Sequence, residues 1–441
     1  MNIELKLNKD FERCVENLVA KYGEDFEYLN GFHNSQLNFS DFIDSFVREN
    51  LAEVTIDNNA SASHKDIVSM RLEKGKPSDK LIAFSKIFME IKKKYGLKTA
   101  QEWLETEWIG GFYLHDASST TYTPYCYAYD LKDLAEKGLY FFDNFNPEPP
   151  QHLGTFVDFV KEFVSYASNR TSGACGMPNL IPYMYYFWKK DCDDGYFTKS
   201  PEAYAKQHIQ RFIYAVNQPC VRDGIQSAFT NTSVFDRPYL EALFGGSEFP
   251  NGEFMIDHLD GIMEFQKLYM EEMSEIRSHN MFTFPVNTIS LLKKNGKFID
   301  EEFAIWACKH NMKWYDSNIF ADSSVNSLSN CCRLKSNIED LGYFNSIGGA
   351  ALRVGSVKVS TLNLARLAYE NDNERDYLVA LRDLTELNLK VLDVVRHIIT
   401  RDVEKGLLPN YTKGEEIFNG ISHGVGILFA IFATVFYCFQ T

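Results

Sequence analysis

At 441 residues the chain is long enough for two or three average domains, or for one large α/β barrel with insertions. Hydrophobic residues make up 45% and charged residues 24%, which excludes a disordered chain, and 35 Phe with 24 Tyr demand a large interior. A net charge of −15 argues against a nucleic-acid backbone as partner, while small anions remain possible ligands of a locally basic pocket.

Residues 1–50 read as short helices, followed by a loop at TIDNNASASHKD. In DKLIAFSKIFMEIKKKYG, Leu81, Ile82, Phe84, Ile87, Phe88 and Ile91 recur at helical spacing with lysines on the far face, and Gly96 ends the run. The middle of the chain alternates helix-like and strand-like stretches, as in an α/β fold. NMFTFPVNTISLL predicts a strand over Phe282–Leu291, with Pro285 marking an irregularity or an edge. GSVKVSTLNL predicts another, with Val357, Val359, Thr361 and Asn363 on one face and Lys358, Ser360, Leu362 and Leu364 on the other. A long amphipathic helix runs from about Glu374 to Lys405, closed by Gly406 and Pro409. From residue 415 the composition shifts. Glu415 and Glu416 are the only charged residues of the tail apart from a histidine, and GVGILFAIFATVFYCF is continuously apolar but shorter than the roughly 18–20 residues that span a bilayer. A buried final helix is the plainer alternative.

The nine cysteines are odd in number and contain no C-x-x-C, and the polar start MNIELKLNKD is no secretory signal. A reduced, cytoplasmic protein is the expectation. No metal site is predicted, because the histidines are scattered. A Cys–His hydrolase has no local signature here. Cys331 and Cys332 are adjacent. Neighbouring α-carbons stand about 3.8 Å apart, short of the roughly 4.4–6.8 Å of a relaxed disulfide, so a structural bridge between them is disfavoured. In extended backbone their side chains diverge, so one sulfur at most serves a given site.

Three stretches carry candidate chemistry: FYLHDASSTTYTPYCYAYDL with His115, Asp116 and Cys126; the cysteine pair; and NSIGGAALRVGSVKVSTLNL, whose Gly348, Gly349 and Gly355 let backbone N–H groups approach an anion. Each has a plainer explanation. Cys126 and Cys175 fit as packed small hydrophobes, His115–Asp116 as a turn, and Asn363 as a satisfied core amide. The glycines match no Walker or dinucleotide motif.

Together YLHD, PYCYAYDL, NRTSGACGMPN, QSAFTNTSVFD, FTFPVNT, MKWYDSN, SNCCRL and GSVKVSTLNLARL, in this order, resemble the anaerobic, class III ribonucleotide reductases. NQPCVRDGIQSAFTN is a slightly altered form of the family stretch. The resemblance implies a ten-stranded α/β barrel of the glycyl-radical enzyme type, threaded by a finger loop whose cysteine becomes a thiyl radical and takes the 3′ hydrogen of a ribose. That cysteine matches Cys331, with Cys332 as the alternative. The resemblance likewise implies Cys126 as the thiol on the opposite ribose face, Asn363 as the assisting amide of formate-using members, and His115, Gly355 and Ser356 at the substrate. Its implied substrates are ribonucleoside triphosphates and its effectors ATP and deoxynucleoside triphosphates. Formate is the implied reductant, a glycyl radical the cofactor, a radical-SAM activating enzyme the partner, and a homodimer the assembly. The expected organisation is an N-terminal helical segment (1–50), without the effector-binding cone of some members, then the catalytic barrel (51–414) and an apolar tail (415–441). The tail departs from the family and slightly resembles the first segment of hemolysin-III-like membrane proteins. Since no glycyl-radical loop is found in the sequence, the expectation is a barrel incomplete at its C-terminus and inactive alone. The alternatives are a chain served by a separate radical-bearing chain, a nucleotide-binding regulatory barrel, and a pyruvate formate-lyase relative.

Overall fold

The computed structural model describes residues 7–23, 40, 43–44, 67–116, 123–139, 147–224, 226–280, 282–325, 327–329, 335–337 and 355–405. The chain divides into two compact units. Unit 1 takes residues 1–55, 63–125 and 356–441, and unit 2 takes 56–62 and 126–355.

Unit 1 opens with helix α1 (Lys9–Tyr22), α2 (Ile67–Tyr95) and α3 (Leu97–Trp108), followed by strand β1 (Phe112–Leu114). The Asn8 side chain caps α1 by accepting from the Asp10 and Phe11 N–H groups, and Gly23 ends the helix at φ +86°. Gly96 ends α2 as expected; its φ of +93° is one that a side chain would strain. The stripe on α2 is narrower than the sequence implied. Phe84, Ile87, Phe88 and Ile91 are fully buried, whereas Ile82 is 37% exposed, because two residues back from Phe84 is the far side of a helix.

In unit 2, β2 (Cys126–Ala128) precedes α4 (Lys132–Lys137) and α5 (Leu153–Ser168). Then come β3 (Cys175–Met177), α6 (Leu180–Asp193), α7 (Pro201–Val216), β4 (Thr230–Phe235), α8 (Arg237–Phe244) and α9 (Leu259–His279). After these follow β5 (Val286–Lys294), β6 (Lys297–Phe298), α10 (Glu301–Trp314), β7 (Ser317–Asp322), and the short pair β8 (Ser327–Ser329) and β9 (Lys335–Asn337). Strand β10 (Gly355–Ser356) straddles the boundary. The chain returns to unit 1 with β11 (Ser360–Leu362), α11 (Leu364–Tyr369) and α12 (Glu374–Glu404).

The unit 1 core joins Phe11 and Leu18 of α1, the α2 stripe, Trp103, Leu104 and Trp108 of α3, and Val391, Val394, Val395 and Ile398 of α12. Trp103 stacks on Phe84 at 5.1 Å, and each such fully buried large side chain contributes roughly 1.5–3 kcal/mol. Strand β1 lies antiparallel to β11, with Phe112 opposite Leu362 and Leu114 opposite Ser360. Helix α12 matches its predicted span within one residue, while Gly406 and Pro409 lie outside the described residues, as does the 415–441 tail.

Unit 2 is a parallel sheet in the order β2–β3–β4–β5–β7, with β6 folded back antiparallel on β5. Helices make each parallel crossover, as the geometry of parallel strands requires. The β5–β6 hairpin turns at Asn295 and Gly296, both at positive φ, the pairing that matches strand twist. Of the two alternatives for Pro285, the edge is excluded, since β5 runs between β4 and β7. Pro285, in a cis peptide with Phe284, sits just before the ladder begins, since a residue without an N–H cannot join it. The run over 355–364 is also corrected. It is two short strands, and Asn363 caps α11. Val357 and Lys358 are both buried, so alternation fails between the strands. The α/β class stands; the described strands do not close into a ring.

Candidate active site

Paired residues in a parallel sheet share a face, and successive residues alternate between faces. The register therefore sorts the unit 2 sheet. Tyr127 pairs with Cys175 and Ala128 with Gly176; Gly176 pairs with Asn231, Ser233 with Thr288, and Thr288 with Asn318. One face carries Tyr127, Cys175, Met177, Thr232, Val234, Asn287 and Ile289. It packs on helix α9, where the Asn287 amide donates to the sulfurs of Met270 (3.3 Å) and Met273 (3.0 Å). The opposite face carries Cys126, Ala128, Gly176, Asn231, Ser233, Thr288, Ser290 and Asn318, with Val286, Phe235 and Phe320 among them.

A parallel sheet covered on both sides normally reads as an apolar run. Here Asn231, Ser233, Thr288 and Ser290 are all buried, at a cost unless they are hydrogen-bonded. Asn231 Nδ2 donates to the Val286 carbonyl (2.9 Å) and to Thr288 Oγ1 (3.2 Å). Small hydroxyl and amide groups beside the small Ala128 and Gly176 make a shallow polar lining, and Cys126 sits at its end. The Cys126 thiol is 1% exposed, and its sulfur accepts the Ala174 N–H at 3.2 Å. Cys175, on the helix side, is fully buried, and burial pushes its thiol up to about 12 despite the Thr171 hydroxyl and the Arg222 charge nearby. The sheet thus separates a packed thiol from one that lines a polar face.

In unit 1 the β1–β11 ribbon places further candidates. His115 is partly exposed; its Nε2 bonds Thr361 Oγ1 at 2.8 Å, its backbone N–H donates to the Val359 carbonyl, and its ring meets Tyr113 edge-on at 4.9 Å. Asn363 is exposed and held at three points. Its Oδ1 accepts the Arg366 N–H (2.9 Å), its Nδ2 donates to the Gly110 carbonyl (3.0 Å), and its backbone N–H donates to the Gly111 carbonyl (2.9 Å). One N–H of the amide remains beyond those bonds. Ser356 is buried, and its carbonyl accepts the Tyr125 N–H at 2.9 Å. Gly355 belongs to unit 2. Cys331 and Cys332 lie outside the described residues.

Two buried charges of unit 1 had no clear signal in the sequence. Lys358 is 1% exposed and donates to the Asp116 carbonyl at 3.4 Å; burial lowers its ammonium to about 8 against the pull of Asp116. Its one visible mark is a lysine amid valines. Glu107 accepts the Leu114 N–H at 3.0 Å through Oε1, while its buried Oε2 has no hydrogen-bond partner; burial raises this carboxyl to about 7. Among the described residues no group of three His, Cys, Asp or Glu side chains is placed to hold a metal ion, and no helix is long and apolar enough to cross a membrane.

The family model described as anaerobic ribonucleoside-triphosphate reductase matches residues 79–428, so the match continues past residue 415, where the sequence alone placed the departure. Solved structures of the anaerobic ribonucleotide reductase from Thermotoga maritima are similar over nearly the whole chain. The complex with dATP and CTP is 36% identical with a TM-score of 0.81, covering 95% of this chain and 66% of its own. The form with dATP in the specificity site is 37% identical with a TM-score of 0.79, covering 93% and 66%. The form with citrate in the active site is 37% identical with a TM-score of 0.79, covering 94% and 72%. This chain therefore spans about two thirds of the length of the relatives it matches. Nothing matches among curated proteins.

Proposed function

Because the chain belongs to the anaerobic ribonucleoside-triphosphate reductase family, we propose that its thiols and its polar sheet face reduce a ribonucleoside triphosphate at the 2′ carbon. Cys331, or its neighbour Cys332, takes the 3′ hydrogen atom of the ribose. The 2′ hydroxyl then leaves as water. Cys126 returns a hydrogen from the opposite face of the sugar, formate replaces the hydrogen that Cys126 gave up, and the first sulfur hands the 3′ hydrogen back to the 3′ carbon. With formate as reductant the sum balances: ribonucleotide, formate and a proton give deoxyribonucleotide, carbon dioxide and water. An S–H bond is close in strength to the ribose C–H bond, so the hydrogen exchange is nearly thermoneutral and depends on positioning. In this family a glycyl radical starts the sequence.

The remaining roles follow the same reading. Asn363 holds the sugar through its remaining amide N–H, and His115 and Ser356 with Gly355 contact the substrate. Residues 51–414 form the catalytic barrel, preceded by the 1–50 helical segment and followed by the 415–441 tail. A radical-SAM activating enzyme, a homodimer, nucleotide effectors and a cytoplasmic setting belong to the same proposal. The family match favours the reductase over a pyruvate formate-lyase relative.

The observation that carries the proposal is Cys126, a buried thiol on the parallel-sheet face that also carries Asn231, Ser233 and Thr288, in a chain of this family. The test is anaerobic turnover of CTP by the radical-loaded holoenzyme, with dCTP quantified by chromatography. Cys126→Ser should lower the yield by roughly two orders of magnitude or more, as expected when a reacting group is removed. Turnover within a few-fold of the parent would overturn the assignment of this thiol.

A further inference from the structure

We propose that Arg222 is a positioning residue for Cys126: it clamps the Ser172–Gly173 turn so that the Ala174 N–H is aimed at the Cys126 sulfur. The inference rests on the reading of Cys126 as a reacting thiol. Arg222 is buried. Its Nη2 donates to the Ser172 carbonyl at 2.5 Å and its Nη1 to the Gly173 carbonyl at 3.4 Å, while its guanidinium lies over the Phe229 ring at 4.5 Å. The segment bearing Arg222 is itself fixed. Its backbone exchanges both hydrogen bonds with Gln226 (2.9 and 3.0 Å). Asn169 spans to it twice, donating to the Val221 carbonyl (2.9 Å) and accepting the Asp223 N–H (2.7 Å).

The consequence follows from the peptide plane. In a trans peptide the carbonyl of one residue and the N–H of the next point in opposite directions. Holding the Gly173 carbonyl on Arg222 therefore turns the Ala174 N–H away from Arg222, and that N–H meets the Cys126 sulfur at 3.2 Å. On the far side of the same residue, the Ala174 carbonyl accepts the Tyr127 N–H at 3.0 Å, which seats the turn on β2. A backbone donor on sulfur stabilises negative charge there relative to the neutral thiol and fixes the sulfur lone pairs, which leaves the S–H direction set for transfer. Arg222 never touches the sulfur. Its planar fork reaches two successive carbonyls, a geometry that the single ammonium of lysine does not reproduce.

The test uses the full chain, labelled at alanine nitrogen, in the parent and in Arg222→Lys, Arg222→Met and Cys126→Ala. Deuterium exchange and the chemical shift of the Ala174 amide proton at neutral pH are the readouts. In the parent this amide should be protected by its bond to the Cys126 sulfur. Cys126→Ala should speed exchange at Ala174 roughly tenfold, the loss of one hydrogen bond, and move the shift. Both arginine variants should do the same, while amides of α12 in the other unit keep their protection. Parent-like exchange and shift in Arg222→Lys would overturn the clamp, as would an Ala174 amide that ignores Cys126→Ala. If Arg222→Met does not fold, the Arg222→Lys and Cys126→Ala results still decide. Loss of the Cys126 assignment itself reads out separately, as retained turnover of Cys126→Ser with the Ala174 results unchanged.

Discussion

Glu107→Gln should remove a pH-dependent weakness from unit 1. The Glu107 side chain is buried in the α3 core, with one oxygen on the Leu114 N–H and the other without a hydrogen-bond partner. Burial raises its carboxyl from the ordinary 4.5 to about 7, more than the Leu114 N–H and the charge of Lys80 pull it down. The native state thus holds this proton more tightly than the unfolded chain. The stability it confers is fully present below pH 4.5 and is lost as pH rises through 7. A rise from 4.5 to about 7 corresponds to about 3 kcal/mol over that window. Glutamine keeps an oxygen for the Leu114 N–H and does not ionise. Urea unfolding followed by tryptophan fluorescence, with Trp103 and Trp108 on the same helix as probes, should show near-equal stabilities at pH 4.5. At pH 8 the variant should be more stable by about 2–3 kcal/mol. Parallel pH profiles for the two proteins would refute the account of an ionisable group paying a burial penalty.

Lys358→Met should be stabilising at neutral pH. Burial lowers this ammonium from 10.5 to about 8, so the native state binds the proton less well than the unfolded chain. Stability rises with pH between those values, and methionine should recover up to about 3 kcal/mol at pH 7, measured by urea unfolding. Asp236 caps α8 through the Tyr239 N–H (3.0 Å) and ties β4 to β5 through the Leu292 N–H (2.6 Å). Asp236→Ala should cost about 2–4 kcal/mol in thermal unfolding, since a cap and a buried donor are both lost. Asp236→Asn, which keeps one acceptor oxygen, should cost less than half as much.

Much of this protein was legible in local sequence. The α2 stripe, its stop at Gly96 and the long helix α12 follow from period and terminator alone, because helical hydrogen bonds join near neighbours. The motif order around Cys126, Asn363 and the cysteine pair pointed to the family that the comparisons show. The strands were read less well. Pro285 suggested an irregularity or an edge, and it is the first, a cis proline just before an interior strand; an alternating run that read as one strand breaks before Asn363, which caps a helix instead. Strand alternation states which residues share a face; it does not state which strand lies alongside.

By itself the sequence determined helices, family and candidate thiols, since these depend on residue identity and short spacings. Only the tertiary structure decided that Cys126 and Cys175 lie on opposite faces of the sheet, that Lys358 and Glu107 are buried in the core with their charged forms disfavoured, and that Arg222 grips the turn beside Cys126. Each of those depends on partners tens of residues away, brought together by sheet register and burial, and no local pattern encodes that pairing.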